Sequence, residues 1–351
     1  MYSEDDLRAA VESGAISADA ANALRSHVAA ARQTPASDEE NFRLINSFND
    51  IFVTIAAVLL LVAMAGIGQA IMPGAAGVLV AAAAWGMAEF FTRRRRMALP
   101  SIVLLLAFVG GLIAAPVEVL SESNFNNANE RMIGLLIALT FIGASVGAWL
   151  HWRRFAVPIT VAAGAATVAA TVIALIVTGI GPQSEDAVEM VLLPLVFAAG
   201  LAIFAFAMRW DISDRLRQTR RSDVAFWLHL VAAPMIAHPL FHWLGVTDGR
   251  DIGASAAIGV LLVYIAMGLV ALAIDRRALL VSALAYVLVT LTWLFDRFGA
   301  VELNVALTAL VIGSALLTLS AFWTPIRRMV VEQLPGTLRD RLPVSGTLVT
   351  G

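Results

Sequence analysis

Three of the chain's five histidines lie in one apolar stretch, where they are the side chains best suited to acid–base or metal chemistry. They are His229, His238 and His242, and the same stretch contains Pro234 and Pro239. At about 100° per residue, His238 and His242 share one face of a helix, whereas His229 lies almost opposite His238. An ionisable side chain within a membrane helix is a candidate functional group, because its burial is costly.

The same stretch supplies the remaining candidates for a functional site. Each proline removes a backbone hydrogen bond, so we expect a kink whose freed carbonyls line a cavity or bond to neighbouring helices. The candidate residues are Asp223, Trp227, His229, Pro234, His238 and His242. Two imidazoles on one face are an incomplete metal site, so a metal stays unknown. The alternative is that His229 and His238 bond to carbonyls of other helices while His242 lies at the outer interface.

A stripe of threonines forms a second candidate feature. At spacings of seven, four and seven residues, these side chains fall within about 40° of one another on a helix. One interpretation is a hydroxyl-lined path for a small solute. The other is a packing seam in which each hydroxyl bonds to a carbonyl of its own helix. The residues are Thr160, Thr167, Thr171 and Thr178.

Composition places these residues in a membrane protein. The chain has 351 residues, of which 60% are hydrophobic and 14% charged, whereas soluble domains carry about 25% charged residues. There is no cysteine, and all 24 basic residues are arginine, which excludes disulfides, thiolate sites and lysine Schiff bases. The net charge of −2 does not indicate a nucleic-acid partner. We expect a lipid bilayer as the main partner, and no cofactor.

Ten apolar blocks predict an all-α, polytopic membrane protein with about ten transmembrane helices. Each block is near the ~20 residues that cross ~30 Å of hydrocarbon. The blocks are 51–71, 74–92, 98–119, 132–150, 155–180, 188–208, 224–244, 252–274, 278–295 and 303–323.

The arginines predict the orientation. Of the 24, the two termini and the connections after even-numbered blocks hold 21, and the other connections hold 3. Basic residues are retained on the cytoplasmic side, so we expect both ends of the chain there.

Four segments are predicted along the chain. Residues 1–35 form a cytoplasmic helical hairpin, with Gly14 suited to end one helix and Ser17 to cap the next. Residues 36–50 form an interfacial lead-in helix, 51–323 the transmembrane domain, and 324–351 an irregular or surface-lying cytoplasmic tail. The hairpin is a possible contact for a cytoplasmic protein partner.

Three short runs support a resemblance. They are Leu7 with Val11–Ser17, Phe226–His229 with His238–Pro239, and Leu338–Pro343. With these runs the chain resembles a bacterial family of predicted polytopic membrane proteins of unknown function that begin with a helical hairpin. The resemblance implies a bacterial inner membrane and implies no activity.

Three functions remain open. The first is transport or permeation of a small solute, since five helices followed by five is a common plan among secondary transporters. The second is a non-catalytic membrane scaffold or sensor that binds its partner through the hairpin. The third is a membrane enzyme or haem or metal protein that uses His229, His238 and His242. The sequence does not by itself indicate an enzyme.

Overall fold

The computed structural model describes residues 10–24, 48–122, 130–181, 184–215, 217, 219–247, 254–297 and 304–343. The chain divides into two compact units. One comprises Met1–Arg43 with Gly346–Gly351, and the other comprises Leu44–Ser345. Each unit is described by itself below.

In the first unit, the described residues contain the turn of the predicted hairpin. Residues 10–12 and 18–24 are helical. Gly14 between them has φ of 72°, a left-handed conformation that suits glycine. The Ser17 hydroxyl accepts a hydrogen bond from Ala20 N at 3.1 Å, which is the predicted cap. The rest of segment 1–35, and residues 36–47 of the predicted lead-in helix, lie outside the described residues.

The second unit is all-α over its described length, and its helices follow the ten predicted blocks in order. A single π-helical segment, Glu89–Arg94, extends the second helix. The helices are α1 (Phe48–Gln69), α2 (Ala75–Ala88), α3 (Ala98–Glu122), α4 (Glu130–Phe155), α5 (Ile159–Ile180), α6 (Glu185–Ser213), α7 (Arg220–Trp243), α8 (Ala254–Ile274), α9 (Ala278–Arg297), α10 (Asn304–Ala321), α11 (Trp323–Glu332) and α12 (Gly336–Arg339).

The prediction of a multi-pass membrane protein is confirmed. Within the described residues, eight helices, α1 to α8, are long and apolar enough to cross a membrane. A ninth candidate is the pair formed by α10 and α11, which meet at a 74° bend. The apolar part of α9, Ala278–Thr292, is shorter. The described chain therefore has eight to nine candidate spans, and the predicted count of ten stays a prediction.

Neighbouring helices pack as hairpins, and α7 joins two groups of them. The first five helices contact one another, as do α6 to α11, and α5 packs against both α6 and α7. In the apolar window of α7, 56% of residues are buried, against 17–33% in the other seven single-helix candidates. The contact between α5 and α7 is apolar, with Ala162, Leu228 and Ala232 buried in one cluster. Helix α7 is therefore the central helix of this unit.

Polar contacts join the ends of different helices, as expected when successive helices run in opposite directions. At the ends of α2 and α4, Arg154 binds Glu89 through two hydrogen bonds of 2.7 and 3.0 Å. Arg93 also approaches Glu89 at 3.4 Å, which is the pair expected from their i,i+4 spacing. At the opposite helix ends, Gly74 N in the α1–α2 turn donates to Glu118 at the end of α3, at 2.9 Å.

The C-terminal tail is more ordered than its prolines and glycine suggested. Its first part is the helix α11, which has three buried residues one turn apart, Trp323, Arg327 and Val331. Pro325 lies in the first turn of this helix, where a proline is tolerated because its missing N–H would have no partner. Of the two alternatives predicted for the tail, irregular or surface-lying, the first is therefore wrong for residues 324–332.

The close approach of α2 and α3 gives a test of this packing. A Cβ atom at Gly111 would lie 2.5 Å from the carbonyl oxygen of Gly77, whereas one at Gly110 would meet nothing within 4 Å. We expect Gly111→Ala to destabilise the protein by about 1–3 kcal/mol through overpacking. Gly110→Ala should be neutral or stabilising by up to about 1 kcal/mol, since alanine favours a helix. Thermal denaturation in detergent measures both, and equal effects would contradict this packing.

Candidate functional site

One end of α7 lies in a buried ionic network. The Nε2 atom of His229 is 3.0 Å from Oδ2 of Asp211 near the end of α6, and the side chains are 0% and 1% exposed. Arg276, between α8 and α9, donates from Nη2 to Oδ1 of the same carboxylate at 2.6 Å. The Arg276 guanidinium also donates to the Ser222 carbonyl at 3.1 Å. Asp211 therefore holds α6, α7 and the α8–α9 connection together.

The hydrogen bond fixes the role of His229. A carboxylate paired with an arginine accepts hydrogen bonds, so Nε2 of His229 is the donor. Its Nδ1 atom is buried and has no hydrogen-bond partner among the described residues. The ring of Phe204 packs edge-on against the imidazole at 5.1 Å between centroids. The predicted alternative of a bond across helices is thus realised, with a carboxylate as the acceptor instead of a carbonyl.

A second buried carboxylate, Asp275, lies next along the chain from Arg276. It accepts a hydrogen bond from Nη1 of Arg217 at 2.7 Å and another from the indole Nε1 of Trp323 at 2.7 Å. Arg327 of α11 is 3.6 Å away. Asp275 has φ of 58°, an uncommon conformation that aspartate tolerates better than most residues. It joins the α6–α7 connection to α11.

Burial perturbs Arg217, which lies in the connection between α6 and α7. Desolvation lowers the pKa of its guanidinium, and the neighbouring Arg276 lowers it further. Asp275 and Asp211 oppose this effect by raising the pKa. An arginine is protonated over the whole accessible pH range, so Arg217 remains a buried cation that needs its carboxylate.

These residues form what we call the ionic cluster. Its members come from α6, α7, α11 and the α6–α7 and α8–α9 connections, and each side chain is at most 9% exposed. The cluster also fixes the tail, because Arg327 donates to the Pro343 carbonyl at 2.7 Å. The ionic cluster comprises Asp211, Arg217, His229, Asp275, Arg276 and Arg327.

The other end of α7 has a second polar group, which is accessible. His238 shares a 2.8 Å hydrogen bond with the Tyr286 hydroxyl of α9. His242 lies 2.6 Å from the Thr247 hydroxyl through Nδ1 and 3.0 Å from the Glu189 carboxylate through Nε2. The two imidazole centroids are 6.4 Å apart. We call these five residues the histidine cluster.

The structure brings some of the predicted site residues together and separates others. His238 and His242 share a face, as predicted, while His229 lies about 13 Å along the helix axis from His238 at 1.5 Å per residue. Pro234 is exposed between them, and Trp227 is half-buried toward the α5–α7 contact. Asp223 is half-buried in the first turn of α7, where a carboxylate is favoured by the helix dipole.

The three histidines do not converge on one metal. No group of three or more His, Cys, Asp or Glu side chains in the described parts of the chain is placed to hold a metal ion. His229 is already bonded to Asp211. The arrangement supports two separate polar sites on one helix.

The threonine stripe on α5 has the geometry of a packing seam. Thr167, Thr171 and Thr178 each donate to a carbonyl of their own helix, at 3.0, 2.9 and 2.6 Å. The Thr160 hydroxyl lies 3.2 Å from Nδ1 of His151 on α4, where both residues are buried. A Cβ atom at Gly134 of α4 would clash with Thr178. The hydroxyls are therefore used within the α4–α5 pair.

Sequence reasoning missed the acidic half of the ionic cluster. Asp211 follows an apolar block by three residues and Asp275 precedes two arginines, so both lie outside the apolar blocks where an ionisable side chain is conspicuous. A carboxylate so close to a helix end, beside arginines, is the signal that indicates a pair. His151 was also missed, and it is buried among the rings of Trp85, Phe108 and Phe155.

Removing one member of the ionic cluster should destabilise the protein strongly. Arg276→Gln leaves the Asp211 carboxylate buried beside His229 without its cation, and we expect a loss of about 3–5 kcal/mol. Adding Asp211→Asn should restore part of it, because the buried charge is removed. The exposed Arg221→Gln is the control and should change stability by less than about 0.5 kcal/mol. Equal melting temperatures for Arg276→Gln and Arg221→Gln in detergent would contradict the pairing.

Comparison of the chain with protein-family models, curated proteins and solved structures gave no match. The geometry of the two polar clusters is therefore the basis for assigning a function.

Proposed function

We propose that this protein is a bacterial inner-membrane carrier of a small polar solute, with ten transmembrane helices and both ends in the cytoplasm. The observation that supports this most is that α7, the central helix, contributes to two separate polar clusters. One of its ends lies in the accessible histidine cluster and the other in the buried ionic cluster. The first is the solute-binding end, and the second is a closed cytoplasmic gate.

Helix lengths and end-to-end contacts support the ten spans. Helix α10, with 18 residues, is about 27 Å long, close to the hydrocarbon thickness, and α9 has 20 residues. The ionic cluster combines the connections after α6 and α8 with the segment after α10. All three are cytoplasmic in the orientation that the arginines predict, because each follows an even-numbered helix. In this proposal α11 lies along the cytoplasmic surface after its 74° bend.

The histidine cluster has the chemistry of a site for a small polar solute. It offers imidazole, hydroxyl and carboxylate groups from α6, α7, α9 and the loop after α7, and each of these groups can exchange its present bond for one to a solute. The aromatic ring of Phe241 stacks on Tyr286 at 4.5 Å and holds the phenol in place. Glu189 is 52% exposed, and in the proposed orientation it lies at the outer end of the cluster.

Alternating access would require the ionic cluster to open. The apolar contact between α7 and α9 lies within this second group of helices, with Ala233, Ala237 and Ala283 buried in one cluster. Separating it at the cytoplasmic end would expose a route to the histidine cluster. A carrier of this kind has two conformations that differ by a few kcal/mol. The ion pairs of Asp211 and Asp275 favour the closed one, because charges in this apolar surrounding need their partners.

The proposed topology can be tested because the chain has no cysteine. Single cysteines are introduced at Ala70, exposed after α1, and at Gln333, exposed after α11. With ten spans, a membrane-impermeant maleimide should label Ala70→Cys only in intact cells and Gln333→Cys only in inverted vesicles. Labelling of both positions from one side would require an even number of spans between them, instead of the nine proposed, and would contradict the proposal.

The proposed gate can be tested without knowing the solute. Ala233→Cys places a thiol at the α7–α9 contact, where the native side chain is 0% exposed. In inverted vesicles we expect slow labelling by an impermeant maleimide, and labelling at least about tenfold faster when Asp275→Asn weakens the gate, since a loss of about 1.4 kcal/mol shifts an equilibrium tenfold.

The matched control is Ala144→Cys, which is equally buried in α4 within the first group of helices. Its labelling rate should not change with Asp275→Asn. A static scaffold would show no change at either position, and general loosening of the fold would accelerate both. Either result would overturn the proposed gate.

A further inference from the structure

An apolar cavity lies among the first four helices, remote in sequence from α7. It has a volume of about 710 Å³, within the 300–1,000 Å³ typical of small-molecule sites. It lies where the α1–α2 turn meets the end of α3 and the first half of α4. Its lining includes Gly74, Leu112, Pro116, Leu136, Thr140 and Gly143.

The cavity is apolar, and part of its lining is exposed at the surface of the helices. Among the described residues that line it, the one polar side chain is that of Thr140, whose hydroxyl donates to the Leu136 carbonyl at 2.9 Å. Two lining residues at the mouth, Ile71 and Leu139, are 64% and 62% exposed. A hydrophobic molecule could therefore enter from the bilayer without crossing a polar surface.

A carboxylate lies at the rim of this cavity. Oε2 of Glu118 accepts a hydrogen bond from Gly74 N, and Gly74 lines the cavity. The Glu118 side chain belongs to α3 between two lining residues of the same helix end, Pro116 and Val119. Among the described residues, the other carboxylate oxygen of Glu118 has no hydrogen-bond partner, so it can accept a hydrogen bond from a ligand or pair with a cation. The run Arg93–Arg96 lies at the opposite ends of these helices.

We propose that this cavity binds a lipophilic cation, with its apolar body in the cavity and its charged group beside Glu118. An apolar lining with one carboxylate at its rim matches the two parts of such a molecule. A carboxylate attracts a cation strongly in a partly desolvated position, and it repels an anion of the same shape. The site shares no residue with either cluster on α7, so it does not depend on the proposed carrier function.

The test uses two probes of the same shape and opposite charge. Binding of tetraphenylphosphonium and of tetraphenylborate to the purified full-length protein is measured by equilibrium dialysis in a neutral detergent. We expect saturable binding of the phosphonium at one site and at least about tenfold weaker binding of the borate. Equal affinity for the two ions would show simple partition into an apolar cavity and would overturn the proposal.

Two variants locate the site. Glu118→Gln should weaken phosphonium binding about tenfold, whereas Glu122→Gln, at an exposed position one turn further along α3, should leave it unchanged. Gly143→Leu fills the cavity from its wall, since a Cβ atom there meets nothing within 4 Å. It should abolish saturable binding while the melting temperature is retained. Undiminished binding in both Glu118→Gln and Gly143→Leu would overturn the site.

Discussion

The buried carboxylate of Asp211 needs hydrogen-bond and charge partners, and the second group of helices, α6 to α11, must be arranged to provide them. An ionised carboxylate in an apolar bundle is too costly to remain unpaired, so a cation and a further donor must be within hydrogen-bond distance. Arg276 and His229 supply them at 2.6 and 3.0 Å. Because the three residues belong to α6, α7 and the α8–α9 connection, their contact fixes how the ends of these helices lie relative to one another.

Asp275 extends the same constraint to the C-terminal segment. It binds Arg217 on one side and the Trp323 indole on the other, so α11 is held against the helix ends instead of continuing α10. The bend of 74° between α10 and α11 is the geometric result. Arg327 and Arg215 then donate to the carbonyls of Pro343 and Leu342, which orders the chain beyond α11. A tail rich in proline and glycine becomes structured because buried arginines need acceptors.

The sequence was sufficient for the positions of the helices but not for the partners of their polar residues. Apolar blocks near 20 residues long locate membrane helices, and the described helices follow those blocks in order. The periodicity also placed His238 and His242 on one face. It could not show that His229 bonds to Asp211. The helical period indicates on which face of its own helix a residue lies, but not which residue of another helix lies next to it. The distribution of arginines likewise predicts which loops are cytoplasmic, but it does not indicate that two aspartates pair with these arginines.

The distribution of polar groups bears on the kind of transport that this protein could perform. The α7–α9 contact between the two clusters is built from small and branched apolar residues such as Ala237 and Val287. The threonine hydroxyls of α5 are bonded within the α4–α5 pair. A polar solute has no continuous row of partners along this route, and an unpaired polar group in such a surrounding is costly. Passage would therefore require the helices to separate, which is the motion of a carrier and not the open path of a channel.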